Sequence, residues 1–101
     1  MDMRKMMKQA QKMQVELAKA QEEVAQMTAE ATAGGGVVKI VVSGDLEIKS
    51  VTIDPAAVDP EDVEMLEDLV LAAANEALRS AQALGNARME AVTGGLNLPG
   101  F

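Results

Sequence analysis

Lys5, Lys12 and Lys19 recur every seven residues, and Lys8 falls on the same side of any helix that carries them, with Arg4 next to Lys5 in sequence. Cationic groups repeated at that period form a stripe of fixed positive charge on one helix face. The chemistry open to such a stripe is neutralisation of an anionic surface. Three readings are compatible with it: a solvated helix face, contact with a membrane surface, or an acidic partner. Five of the nine basic residues lie in the first 19 positions, opposed there only by Asp2 and Glu16. Glu22, Glu23 and Glu30 dilute the charge further along, so the anion-binding end is the N-terminal one. Arg79 and Arg88 are the only bases after Lys49.

The remaining chemistry is easier to exclude. The chain has no His and no Cys, which removes zinc sites, haem, disulfides, thiol nucleophiles and the usual imidazole base. Thr28, Thr32, Ser43, Ser50, Thr52, Ser80 and Thr93 have no such base and no recognisable Lys motif beside them, so no catalytic constellation is visible. No cofactor and no small-molecule substrate are expected. Residues 54–68 hold seven carboxylates and no base. They lack the central Gly and terminal Glu of a calcium loop, and Asp59, Glu61 and Asp62 suit a helix start instead. Gly34-Gly35-Gly36 is not followed by Gly-Lys-Ser/Thr and is not a phosphate loop. Phe101 is the only aromatic residue, which leaves nothing on which to stack unpaired bases. The net charge of −7 argues against a uniformly basic nucleic-acid binder. No apolar run reaches the length of a membrane span, and no secretory leader is expected.

The elements that must position the stripe follow from periodicity. Met3, Met6, Ala10, Met13, Leu17, Ala20, Val24, Met27 and Ala31 are spaced alternately three and four apart. That heptad pattern predicts a helix over about residues 1–31, some 45 Å long at about 1.5 Å per residue. Such a helix outreaches a compact domain of this size, so part of it must project or meet another chain. Val37–Ser43 and Leu46–Ile53 read as a hairpin around Gly44-Asp45. The alternation of the second strand slips near Lys49-Ser50, which predicts either a bulge or two partly covered faces. Asp59-Pro60 predicts the N-terminus of a second helix over about 60–84. Its apolar stripe is Leu66, Val70, Ala73, Ala77, Ala81 and Leu84. Gly85 reads as its stop, followed by a short helix from Asn86 and a non-helical tail to residue 101. The fold class is α+β, in one domain of 101 residues. Its long N-terminal helix joins a small antiparallel sheet of two or three strands over about 29–54, and C-terminal helices.

Several segments, in order, resemble one family. They are Met7-Lys8-Gln9-Ala10-Gln11 with Met13-Gln14, the strand Gly36–Val42 closed by Gly44, and Val51-Thr52-Ile53-Asp54-Pro55. Met65–Val70 with Ala72, Ala73, Asn75 and Ala77 follows, then the ending Gly95-Leu96-Asn97-Leu98-Pro99-Gly100-Phe101. Together they are similar to the YbaB/EbfC family of bacterial nucleoid-associated proteins, over nearly the whole chain. The resemblance implies an α-β-β-β-α homodimer with tweezer-like helical arms, the extra strand coming from residues 27–33. It implies double-stranded DNA as partner, a place in the cytoplasmic nucleoid and a part in gene regulation. Carried onto this chain, the DNA-contacting residues are Arg4, Lys5, Lys8, Lys12 and Lys19, with Arg79 and Arg88 from the C-terminal helices. The departure from the family is charge: the C-terminal helices carry only those two bases. A dimeric protein-interaction module, with the heptad seam as its partner surface, is the competing reading.

Overall fold

The computed structural model describes residues 2–94. The expected tail, Gly95 to Phe101, lies outside the described residues. The order of elements is α1 (Met3–Gln26), β1 (Thr28–Ala33), β2 (Val38–Ser43), β3 (Ile48–Ile53), a 3₁₀ turn (Pro55–Ala57) and α2 (Val63–Gly94). The expected α+β class holds, with three strands.

Asp2 caps α1, its carboxylate accepting a hydrogen bond from the Arg4 N–H at 3.0 Å. The helix ends at Gln26, short of the expected residue 31. Met27 is already extended, with ψ 147°, and its N–H closes onto the Glu23 and Val24 carbonyls. The three-four spacing runs on through Met27 and Ala31, but there it no longer marks a helix. From Thr28 to Ala33 every second residue is Ala, and these alanines lie against the core. The six residues pair antiparallel with β2, from Thr28 opposite Ser43 to Ala33 opposite Val38. Pairing with a β-branched strand overrides the helical preference of the alanines.

Between β1 and β2 the chain reverses at Gly34, Gly35 and Gly36, with successive φ values of +65°, +74° and +98°. Three consecutive left-handed residues are strained for any side chain, which accounts for the triglycine.

The sheet order is β1-β2-β3, all antiparallel. In β3, Ser50 pairs with Val41 and Ile48 with Val42, so Lys49 is an extra residue in a bulge. The bulge accounts for the slipped alternation. It puts Ile48, Val51 and Ile53 opposite Val42, Ile40 and Val38, all on one face of the sheet. Val38, Ile40 and Val42 are buried on that face beneath Ala73, Ala77 and Ala81 of α2. The small side chains of α2 let the helix approach closely.

α2 departs from expectation at both ends. Asp59 and Pro60 make a turn rather than a cap: the Asp59 carboxylate accepts from the Glu61 N–H at 2.9 Å, and its carbonyl from the Asp62 N–H at 3.0 Å. The helix starts at Val63, and the Asp62 carboxylate accepts from the Met65 N–H at 3.3 Å. At the other end the helix does not stop at Gly85, and no separate helix begins at Asn86. It runs unbroken to Gly94. Gly85 is buried where α2 meets the end of α1, close to Val24 and the Gly44 carbonyl. It lies inside a packed helix pair and does not terminate α2; a single Cβ there would meet Val24 at ordinary contact distance. Beyond it, Arg88, Met89 and Val92 are half-buried, so tertiary contact with α1 carries the last turns.

Candidate nucleic-acid interface

The first part of α2, from Leu66 to Ala81, lies on the sheet, and its last part pairs with α1. Gly85 of α2 meets Val24, and Arg88 reaches Glu23. On α1, Ala20 and Val24 are buried, Met13 and Leu17 are half-buried, and residues 2–12 are exposed. The inner half of the heptad seam therefore packs on α2 of the same chain. The outer half projects as an arm. The described chain is correspondingly long, 72 × 23 × 16 Å.

Arg4, Lys5, Lys8, Lys12 and Lys19 are all exposed along this arm. Their common face is turned away from the seam that packs on α2. Among the described residues, no salt bridge involves any of the five. Each of the other four bases has a carboxylate partner. Lys39 bridges Glu30 across β1 and β2 at 3.4 Å, and Lys49 bridges Glu47 at 3.2 Å. Arg79 bridges Glu76, one turn earlier on the exposed face of α2, at 2.9 Å. Arg88 holds Glu23 of α1 at 2.7 Å. The structure thus separates the seven expected contact residues into two groups. Five form one uncompensated stripe. Arg79 lies over the body, and Arg88 sits in the joint between the helices.

The acidic segment is remote from the stripe. The β1–β2 turn abuts Leu69, near the start of α2, whereas Gly44 at the other end of β2 abuts Val24 and lies beside Gly85. Residues 54–68 follow β3 and open α2 at the Leu69 end. The arm leaves from the Gly44 end. Base and acid therefore occupy opposite ends of the long axis, which removes the objection raised by the net charge of −7. Among the described residues, no cluster of three or more carboxylates is placed to hold a metal ion. None of the described helices is long and apolar enough to cross a membrane.

A second surface escaped the sequence reading. α2 covers β1 and β2 and leaves β3 beyond its edge. Ile48 and Val51 are consequently half exposed, although they share the core-facing side of the sheet. On α2, Leu66, Val70, Leu71 and Ala74 line a shallow apolar groove of ≈ 470 Å³, with Leu71 61% exposed. Met65, Leu69, Leu71 and Leu78 widen the apolar stripe of helix 2 beyond what one sheet face needs, and that was the available signal, but the uncovered side emerges only from the packing.

Residues 1–96 match the YbaB/EbfC DNA-binding family. The chain belongs to that family. Among curated YbaB/EbfC relatives, a protein of Desulforamulus reducens named nucleoid-associated protein is 60% identical over 99% of this chain and 95% of its own length. One of the same name from Moorella thermoacetica is 57% identical over 99% of this chain and 96% of its own. Among solved structures, an uncharacterized protein from Helicobacter pylori matches with a TM-score of 0.74. It covers 95% of this chain and 98% of that one at 21% identity, and so attests the fold alone. The expected family and its arm-plus-sheet architecture are thereby established, and DNA binding is the activity for which the YbaB/EbfC family is described.

Proposed function

We propose that this chain is a nucleoid-associated protein that binds double-stranded DNA as a homodimer through its paired α1 arms. The observation that carries the reading is the division of the bases. Arg4, Lys5, Lys8, Lys12 and Lys19 lie on one exposed stripe without carboxylate partners among the described residues, and the other four bases are matched. Ammonium and guanidinium groups presented in this way neutralise phosphates and release condensed counterions. Phosphate contacts fix position without reading sequence, so the preference for sequence is weak. Arg4, with its planar fork, is the arm residue suited to a bidentate guanine contact.

The second copy follows from the apolar surface. Ile48 and Val51 continue a core face yet are half exposed, and Leu71 lines an apolar groove on the uncovered side of α2. The core beneath them is small: its largest fully buried apolar side chains are Val38, Ile40 and Val42. A two-fold partner seated there buries this surface and presents the basic stripe twice. The setting is the bacterial nucleoid, for which the relatives are named, in the cytoplasm, and a part in gene regulation would follow from occupancy of DNA there.

The test is a gel shift of duplex DNA at low and physiological salt beside sedimentation equilibrium. Binding that weakens steeply with salt, by a species of twice the chain mass, is expected. A monomer, or binding indifferent to salt, defeats the proposal. A dimer that does not shift DNA leaves a protein-interaction module as the reading.

A further inference from the structure

Arg88 is the one base among the described residues whose carboxylate partner belongs to the other helix. Its guanidinium forms two contacts with one carboxylate oxygen of Glu23: Nε donates at 2.8 Å, and Nη2 lies at 2.7 Å. The two residues are 65 positions apart in sequence and tie α2 to α1. They sit beside the close approach of α1 to the β2–β3 turn. Val24, the next residue after Glu23, is held between Gly85 of α2 and Gly44 of the β2–β3 turn. The Gly44 N–H donates to the Met27 carbonyl at 2.8 Å, fastening the end of α1 to the sheet. Buried Ser43 anchors that turn: its Oγ donates to the Asp45 carboxylate and accepts from the Glu47 N–H. Glu23 lies about 28 Å along the helix from Arg4, at about 1.5 Å per residue. A small rotation here therefore moves the arm tip by several times as much as the joint.

We infer that Arg88 and Glu23 act as a clamp that sets the direction of the arm, so that Arg88 serves DNA binding by positioning α1 rather than by touching phosphate. This rests on the DNA-binding reading above. The two roles make opposite predictions for the acid. If charge alone mattered, removing Glu23 would tighten binding to a polyanion. If the pair positions the arm, removing Glu23 weakens binding as removing Arg88 does.

The experiment measures duplex affinity against salt for the wild type, Glu23→Gln, Arg88→Gln and the exchanged pair Glu23→Arg/Arg88→Glu. A half-exposed ion pair predicts a loss of about 2- to 5-fold for each single variant. The slope of log affinity against log salt should stay at its wild-type value, because no phosphate contact is lost. The exchanged pair should recover most of the affinity, although it moves the base to α1. A second readout is independent of DNA. The chain has no cysteine, so spin labels at Gln9→Cys and Thr52→Cys, diluted into excess unlabelled chain, report the arm-to-sheet distance within one protomer. That distribution should broaden in both single variants and narrow again in the exchanged pair. Tighter or unchanged binding by Glu23→Gln overturns the clamp. So does a shallower salt slope in Arg88→Gln, or a distance distribution indifferent to all three changes. Failure of the wild type to bind duplex DNA at low salt defeats the DNA-binding reading instead, while the distance measurement still judges the clamp.

Discussion

The Val24 carbonyl oxygen occupies the space that a side chain on Gly44 would need. Only a residue without Cβ lets the β2–β3 turn close against the last turn of α1, and the Gly44 N–H then reaches Met27. Gly44→Ala must push α1 away from the sheet. Overpacking of this kind costs about 1–3 kcal/mol. The midpoint of urea unfolding, at fixed protein concentration, should fall accordingly. A variant as stable as the wild type would show that α1 is not seated on this turn.

Gly85, on the other side of Val24, predicts the reverse. A Cβ there would lie 3.4 Å from Val24 Cγ1 and 3.5 Å from the Gly44 carbonyl, at the close end of ordinary van der Waals contact. Gly inside a helix is about 0.8–1.0 kcal/mol less favourable than Ala. Gly85→Ala should therefore be neutral or stabilising by up to that amount in the same unfolding measurement. Larger side chains should not share the gain, because they would wedge the helices apart.

The arm bases should carry the salt dependence. Replacing Lys5, Lys8 and Lys12 with Gln leaves α1 helical, since Gln has nearly the same helix propensity as Lys. Each lost phosphate contact lowers the salt slope by about 0.9. The triple variant should bind duplex DNA weakly and with a visibly flatter slope, while sedimenting as the wild type does. Wild-type retention of DNA would remove α1 from the interface. Arg79→Gln should leave the slope alone, because that guanidinium is engaged with Glu76 away from the arm.

On β3, Val51→Glu places a charge where the sheet continues beyond the cover of α2. Val51 is half exposed in the single chain, so the substitution should spare its fold. It should dissociate the dimer, observed as a halved mass in sedimentation equilibrium. With one arm per particle, DNA affinity should then collapse as well. A stable dimer with Glu at position 51 would exclude this face as the interface.

What could be read from the sequence was what depends on near neighbours. The stripe of Lys5, Lys12 and Lys19 is a seven-residue period and survives intact in α1. The same holds for the Ala73-Ala77-Ala81 spine of α2 and for Val38, Ile40 and Val42. The slipped alternation of β3 near Lys49-Ser50 allows a bulge or two partly covered faces, and the ladder shows the bulge, which shifts phase in the local pattern. The failures arose where distant contacts decide. Ala31 continues a helical spacing, and an extended piece over residues 29–33 is the alternative to it; the ladder offered by β2 decides for the strand. Gly85 looks like a stop signal until α2 is seen to run on past it against the end of α1. Asp59-Pro60 has the composition of a cap, yet turns the chain so that Asp62 caps instead. That Arg88 pairs with α1 could not be read from the sequence, because Glu23 lies 65 residues away.

The separation of charge along the long axis bears on how the molecule travels. Five bases stand toward one end and seven carboxylates toward the other of a particle 72 Å long. Such a rod has a large electric dipole moment, although its net charge has the same sign as that of the DNA it would meet. In the field of a polyanion it experiences a torque before it makes contact, bringing the arm forward and the acid to the rear. Repulsion of the whole and attraction of the tip then act together as an orientational filter on encounters. Productive collisions are selected by direction of approach, and side-on collisions are turned away.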